Sequence, residues 1–329
     1  MLRRRLRLSL TVSAAAAANR RPILVTGSHR SGTTWVGRML EAAGDVYYVH
    51  EPFNPVFVRP GLCDAPFRGF TYVHAGNAHR FDGALSDVIE GRYHVGRGLL
   101  SVRSKLDLKR MLGEARRAAD ARRTGKRTLV KDPIALLSSE WLADRFGMDV
   151  VVMVRHPAAF VASIKRVGWR HDLQAFLDEP ALMDDLLDDQ RDLLERSVAR
   201  GAALGVVEEA AVVWVLLHEA IRRFRERRPS WAFVRHEELS SAPLEGYADL
   251  YARLGLALTP QARATIAEHS DSANPLTARE GEAHELRRNS TEVVRAWTRQ
   301  LDPAEIDLVR GITGELAAAF YDDADWAAV

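Results

Sequence analysis

One segment narrows the folds open to this chain more than any other. The apolar run Pro22–Thr26 (PILVT) stops at Gly27, and a polar octet, Gly27-Ser28-His29-Arg30-Ser31-Gly32-Thr33-Thr34, leads into a helical stripe of Trp35, Val36, Met39, Leu40 and Ala43. A short unbroken apolar run reads as a strand buried on both faces, and the stripe's spacing lies on one face of a helix. Glycines at both ends let the loop turn tightly, and the amides from Ser31 to Thr34 converge near the positive end of the helix dipole. That is an anion site. The spacing matches the nucleotide-binding pattern G-x-x-x-x-G-K-[ST], except that Thr33 occupies the lysine position and the cation is Arg30, inside the loop. Phosphoryl transfer needs that lysine and a later acidic residue for Mg²⁺. A loop for a shorter anion, with no metal, is the better expectation.

The rest of the chain fits a sheet around this unit. Strands are expected at Val46–Val49, Thr128–Val130, Asp149–Val154 and Trp231–Val234, and helices at 104–123, 135–146 and 157–167, the last opened by Pro157 in its first turn. Residues 50–100 read as loop with short helices. From 180 onward the pattern is helical, at 181–200, 206–228, 243–254, 260–269, 291–300 and 303–320. Strands alternating with helices predict an α/β fold, a central parallel sheet flanked by helices, with a mainly helical C-terminal half. Residues 22–329 read as a single α/β domain. Residues 1–21 read as a disordered basic arm rather than a secretory signal, because Ser9 and Thr11 interrupt the apolar centre Leu8–Val12.

Composition excludes several classes. Lys+Arg 46 against Asp+Glu 44 leaves a net charge of +2, which gives no reason to expect a nucleic-acid partner. A single cysteine, Cys63, rules out an intramolecular disulfide or a multi-cysteine metal site and fits a reducing, cytoplasmic setting. No run approaches the roughly 18 apolar residues of a membrane span. Charge is nevertheless segregated: residues 101–131 hold eleven Lys/Arg against three acids, and residues 172–195 hold nine acids and only Arg191. Such runs are either solvated helix faces or, for the basic one, the neighbourhood of an anionic ligand.

A second element stands far along the chain. Val151-Val152-Met153-Val154 runs into Arg155-His156-Pro157, with Ser163 eight residues after the arginine. An Arg at the carboxyl end of a sheet strand reaches the ligand crevice, and its planar fork suits a terminal phosphate. Ser163, about two turns into the helix, adds a hydroxyl donor.

Through these two elements together, the sequence resembles the sulfotransferases that use 3′-phosphoadenosine 5′-phosphosulfate (PAPS), in particular bacterial and carbohydrate-type members with a P-loop-like fold. Arg30-Ser31-Gly32-Thr33-Thr34-Trp35 is similar to their loop for the 5′-phosphosulfate, and Arg155 with Ser163 to their 3′-phosphate element. Lys131-Asp132-Pro133 looks like a K-x-P turn of such members. Val234-Arg235-His236-Glu237-Glu238-Leu239 resembles a common R-Y-E-D-L stretch. Arg287 and Arg288 resemble a basic C-terminal element that contacts the 3′-phosphate. The resemblance implies sulfuryl transfer from PAPS to a hydroxyl acceptor, a small molecule or glycan, with 3′,5′-ADP as product. It implies that Arg30, Thr33 and Thr34 hold the reacting group.

Such a reaction needs a base near the acceptor. Phenol-type members carry a His in K-x-H-L-P, which Lys131-Asp132-Pro133 lacks; other members use a Glu after the first helix. Glu51 of Glu51-Pro52-Phe53 is therefore the expected base, with His50 and Asp132 as alternatives, or else Glu51 pairs with a site arginine and only orients it. Trp35 is expected in the core, although the family's matching Trp lies near the purine. His29 is either a ligand contact or a structural or solvent-facing side chain. Phe57, Phe67, Phe70, Tyr72, Phe81 and Tyr93 either gate the substrate or pin a long loop. Two other readings remain: a P-loop nucleotide kinase or NTPase, and a non-catalytic 3′,5′-ADP-binding protein.

Overall fold

The computed structural model describes residues 20–57, 59–270 and 294–327. Five strands, β1 (Ile23–Gly27), β2 (Val46–His50), β3 (Arg127–Lys131), β4 (Asp149–Val154) and β5 (Ala232–Arg235), form one parallel sheet in the order β2-β3-β1-β4-β5. Alternate side chains of each strand enter opposite layers. Leu24, Val130, Val150, Val152 and Val154 join one core, and Ile23, Val25, Leu129, Val151 and Met153 join the other. This two-sided burial is why β1 and β4 are apolar at nearly every position rather than at every second one.

Helices of at least eight residues are α1 (Thr33–Glu41), α2 (Asp82–Ile89), α3 (Lys105–Thr124), α4 (Ser139–Phe146), α5 (Pro157–Val167), α6 (Arg191–Arg200), α7 (Val206–Arg227), α8 (Pro243–Arg253), α9 (Pro260–Ser270) and α10 (Pro303–Ala317). α7 runs through the larger core, with Val212, Trp214, Leu216, Leu217 and Ile221 buried, and packs on α5 and α10. The chain leaves β1 toward β2 on one side and returns through β3 before crossing to β4 on the other. Loops after β1 and β4 therefore part at the carboxyl end of the sheet, the place where such sheets bind ligands.

Three expected helices differ from the fold. The 135–146 segment opens as a 3₁₀ turn at Ile134–Ser138 before α4. The 181–200 segment is broken: Pro180–Leu182 passes into a π turn at Met183–Leu187 and a 3₁₀ turn at Asp188–Gln190 before α6. The Asp185 carbonyl accepts from Arg223 Nη1 and Arg227 Nη2, both at 3.0 Å, and Tyr72 Oη donates to its carboxylate at 2.6 Å. In the described part of 291–300, a 3₁₀ turn at Ala296–Arg299 replaces the helix, and Trp297 turns inward to stack on His156 at 5.3 Å. The acidic run also finds partners, since Asp184 pairs with Arg191, Asp185 with Arg227 and Asp189 with Arg223. No described helix is long and apolar enough to cross a membrane.

Candidate active site

The loop between β1 and α1 is shaped by backbone that only certain residues tolerate. Gly27 has φ +135°, and a Cβ there would overlap the Met153 carbonyl of β4. Gly32, at φ +91°, is the α1 N-cap, and a Cβ would lie 2.7 Å from His236 Nδ1. No side chain caps α1, and its first bond runs from the Val36 amide to the Gly32 carbonyl at 3.1 Å, leaving the amides of Thr33, Thr34 and Trp35 ahead of it, whereas the Ser31 amide, expected to join them, turns back to the Ser28 carbonyl at 3.2 Å. The Ser28 and Ser31 hydroxyls are buried without a hydrogen-bond partner among the described residues. Buried orphan donors around an open helix start fit an anion. Gly32→Ala should cost about 1–3 kcal/mol of stability from its positive φ alone. Urea unfolding measures it; an unchanged midpoint would contradict the strained geometry.

Arg30 is the least expected part of the loop, a non-glycine residue at φ +64°. Its Nε donates to Ser163 Oγ at 3.0 Å, and Arg155 Nη1 donates to its carbonyl. Residues 30, 155 and 163, separated by 125 and 133 positions from the loop arginine, thus meet at one point. Trp214 Nε1 of α7 donates to the Arg155 carbonyl at 2.9 Å. Glu237 Oε1 accepts from the His156 amide at 3.0 Å, and Glu237 Oε2 accepts from Tyr321 Oη at 3.0 Å. Burial pushes the Glu237 carboxyl up. His156 itself is buried against Trp297, Tyr321 and Trp326. Trp214, Glu237 and Tyr321 are supporting residues that sequence reasoning missed. Only Glu237 had a signal, in the stretch at 234–239.

The expectation that Glu51 is an available base meets a closed ion pair. Glu51 adopts φ +44° after β2, its Oε1 pairs with Lys131 Nζ, and its Oε2 accepts from Asn54 Nδ2 at 2.7 Å. Burial works to raise the carboxyl, but the Lys131 charge and the bonds from Lys131 and Asn54 outweigh it and hold Glu51 below the ordinary carboxylate value. Its partner is thus a lysine at the end of β3, not a site arginine. His50 Nδ1 lies 3.1 Å from Tyr48 Oη. Asp132 is fully buried, accepting from the Phe53 amide at 2.7 Å and the Ile134 amide at 2.9 Å. Burial and then the Glu51 charge push its carboxyl up to about 7.

Trp35 packs edge-on against Tyr247 at 5.3 Å, in the core beneath α8. Phe53, Phe67 and Phe81 stack on one another, pinning the 50–100 segment, whereas Phe70 turns toward His29 at 5.5 Å. The side chain of Phe57, residues 1–19, and Arg287 and Arg288 lie outside the described residues. Seven of the eleven basic residues of the 101–131 run lie on the largely exposed α3, and Arg127 is buried and pairs with Asp149.

The sulfotransferase family model matches residues 22–260. Carbohydrate sulfotransferase 3 of Rattus norvegicus is 21% identical over 342 residues, covering 91% of this chain and 67% of that protein. Among solved structures, the sulfotransferase domain of the Synechococcus PCC 7002 olefin synthase is similar at 16% identity and TM-score 0.45, covering 92% of this chain and 94% of that one. A mouse sulfotransferase complexed with PAP is similar at 13% identity and TM-score 0.43, covering 93% and 87%. The family match spans the loop after β1, the Arg155–Ser163 element and the helices α6, α7 and α8 beyond them, and the chain belongs to the sulfotransferase family.

Proposed function

We propose that this sulfotransferase draws on PAPS and acts on the hydroxyl of a small molecule or glycan. The observation that carries this reading is the meeting of Arg30, Arg155 and Ser163 at the carboxyl ends of β1 and β4. When bound, PAPS supplies a sulfuryl group on an activated phosphate. Ser31, Gly32, Thr33 and Thr34 would hold the 5′ end with amides and hydroxyls, and Arg155 with Ser163 would hold the 3′-phosphate. Arg30 would stabilise charge on the departing oxygen. Glu51 enters as the counter-charge that fixes Lys131 at the end of β3. A kinase reading is weaker, because Thr33 stands in place of the lysine and both Asp132 oxygens are taken by backbone amides.

Arg155→Ala tests the donor assignment by calorimetry. Loss of a charge-assisted fork should weaken 3′,5′-ADP binding by roughly 2–3 kcal/mol. The loss for 5′-AMP should be clearly smaller, limited to what Arg155 does for the Arg30 carbonyl. Equal losses would overturn the 3′-phosphate role. Incubation of the wild type with PAPS and an acceptor panel, read by mass spectrometry, tests the reaction itself.

A further inference from the structure

Most of the basic run at 101–131 lies on α3, beside an apolar surface. Ten large apolar side chains are exposed among the described residues. Six of them, Val95, Leu99, Leu100, Leu106, Leu108 and Leu112, fall within eighteen consecutive positions. Scattered exposed leucines need no explanation, but a concentration of this kind marks an interaction surface. Val95, Leu99 and Leu100 belong to the short helix Val95–Leu100, which packs on α3. Gly98 is a point of contact, since a Cβ there would lie 3.0 Å from Met111 Cγ.

Helical spacing joins these residues into one surface. Leu108, Leu112, Ala115 and Ala119 follow one another at i, i+4, i+7 and i+11, a stripe outside the face that buries Met111, Ala118 and Ala121. Met111 neighbours Leu108 at i−3 and Ala115 at i+4, so the short helix seated at Met111 lies along one border of the stripe. The other border is cationic: Leu108, Leu112 and Ala119 each follow a cation by three residues, Lys105, Lys109 and Arg116. Leu106 lies beyond those cations. The three acids of α3 are engaged elsewhere. Asp107 accepts from Ser104 Oγ at 2.7 Å, Glu114 pairs with Arg59 at 3.3 Å, and Asp120 pairs with Arg123 at 2.6 Å. Arg59 also donates to the His50 carbonyl at 2.6 Å, which ties α3 to the end of β2.

The geometry points to a docking surface for an anionic lipid bilayer. The leucines of the stripe and of the short helix enter the boundary between headgroups and acyl chains, and Lys105, Lys109 and Arg116 meet lipid phosphates. An interfacial helix requires this arrangement, because lysine and arginine stems lie along apolar surface while their heads stay at phosphate level. A second copy of this chain is a poor occupant: pairing two stripes brings two cationic rows together, and the acids of α3 are already engaged. Leu99 and Leu100, 50% and 77% exposed, project from a helix surface rather than line a groove, which suits a fluid layer that closes around them. No described helix can cross a membrane, so the attachment is lateral, and negative surface charge strengthens it. The docking surface does not depend on which group the site transfers.

Sedimentation of the full chain with phosphatidylcholine vesicles, alone or mixed with phosphatidylglycerol, tests this. The wild type should partition at least roughly 10-fold more strongly onto the anionic vesicles, and added salt should weaken that binding. Lys105→Gln/Lys109→Gln/Arg116→Gln should lower it by roughly 10²-fold, about fivefold per cation. Leu99→Ser/Leu100→Ser/Leu112→Ser should lower it by roughly 10-fold or more. Leu244→Ser/Leu308→Ser, which changes exposed leucines of α8 and α10, should bind as the wild type does. Every substituted side chain is exposed, so unfolding midpoints should stay near wild type. Residues 1–21 are the same in all variants, so their arginines cannot account for a difference between them. Equal binding to neutral and anionic vesicles, or undiminished binding by either variant of the α3 surface, overturns the proposal. Dimerisation that Leu99→Ser/Leu100→Ser/Leu112→Ser abolishes also overturns it, by giving the surface to a second copy.

Discussion

Arg30→Ala is expected to lower kcat by roughly 10²–10³-fold, the cost of removing one aimed donor from developing negative charge, while donor affinity changes far less. The guanidinium is held from three sides: by backbone at φ +64°, by Ser163 Oγ at 3.0 Å, and by the Trp169 ring at 5.6 Å. Arg155 adds a hold on the Arg30 carbonyl. A cation fixed before the reaction begins needs no reorganisation when charge grows on the leaving oxygen, so its contribution falls on the transition state more than on the bound donor. Arg30→Lys should restore part of kcat, because an ammonium replaces the charge but not the planar fork. Calorimetry with 3′,5′-ADP beside steady-state kinetics separates the two effects. A loss confined to affinity would remove Arg30 from the chemistry.

Much of the architecture was legible because two-sided burial leaves a local trace. β4 reads as six consecutive residues with one partly exposed end, and its boundaries in the fold, Asp149–Val154, match the expected ones. The loop was legible for a related reason: Gly27 and Gly32 stand where a side chain would strike Met153 or His236, so the glycines mark the turn. Pairings across long separations left no such trace. Lys131 meets Glu51 across 80 positions and His171 meets His29 across 142, and nothing in either neighbourhood names the partner. The positive φ of Arg30 and Glu51 was equally hidden, since neither residue type advertises it. Glu51 was singled out for chemistry by its place after β2; its partners there, Lys131 and Asn54, left no trace in the sequence.

The Glu51–Lys131 pair carries the largest expected effect on stability. Lys131 is fully buried and Glu51 is 9% exposed. Two charges withdrawn from water hold together only while each compensates the other, so Glu51→Gln should destabilise the fold by about 3–5 kcal/mol. Lys131→Met should cost a similar amount by stranding the carboxylate. The double variant, with no buried charge and a methionine filling the lysine's volume, should be more stable than either single variant. Additive losses in chemical denaturation would mean that the pair is not coupled. The pH dependence has a definite sign. The folded Glu51 value lies below the unfolded value of about 4.5, so its contribution is complete above that pH and is lost as pH falls through the folded value. Wild-type stability should therefore decline on acidification below about 4.5 more steeply than that of the double variant. The pairing that makes Glu51 valuable to the fold holds its carboxylate below the ordinary value, beside Lys131 at the end of β3.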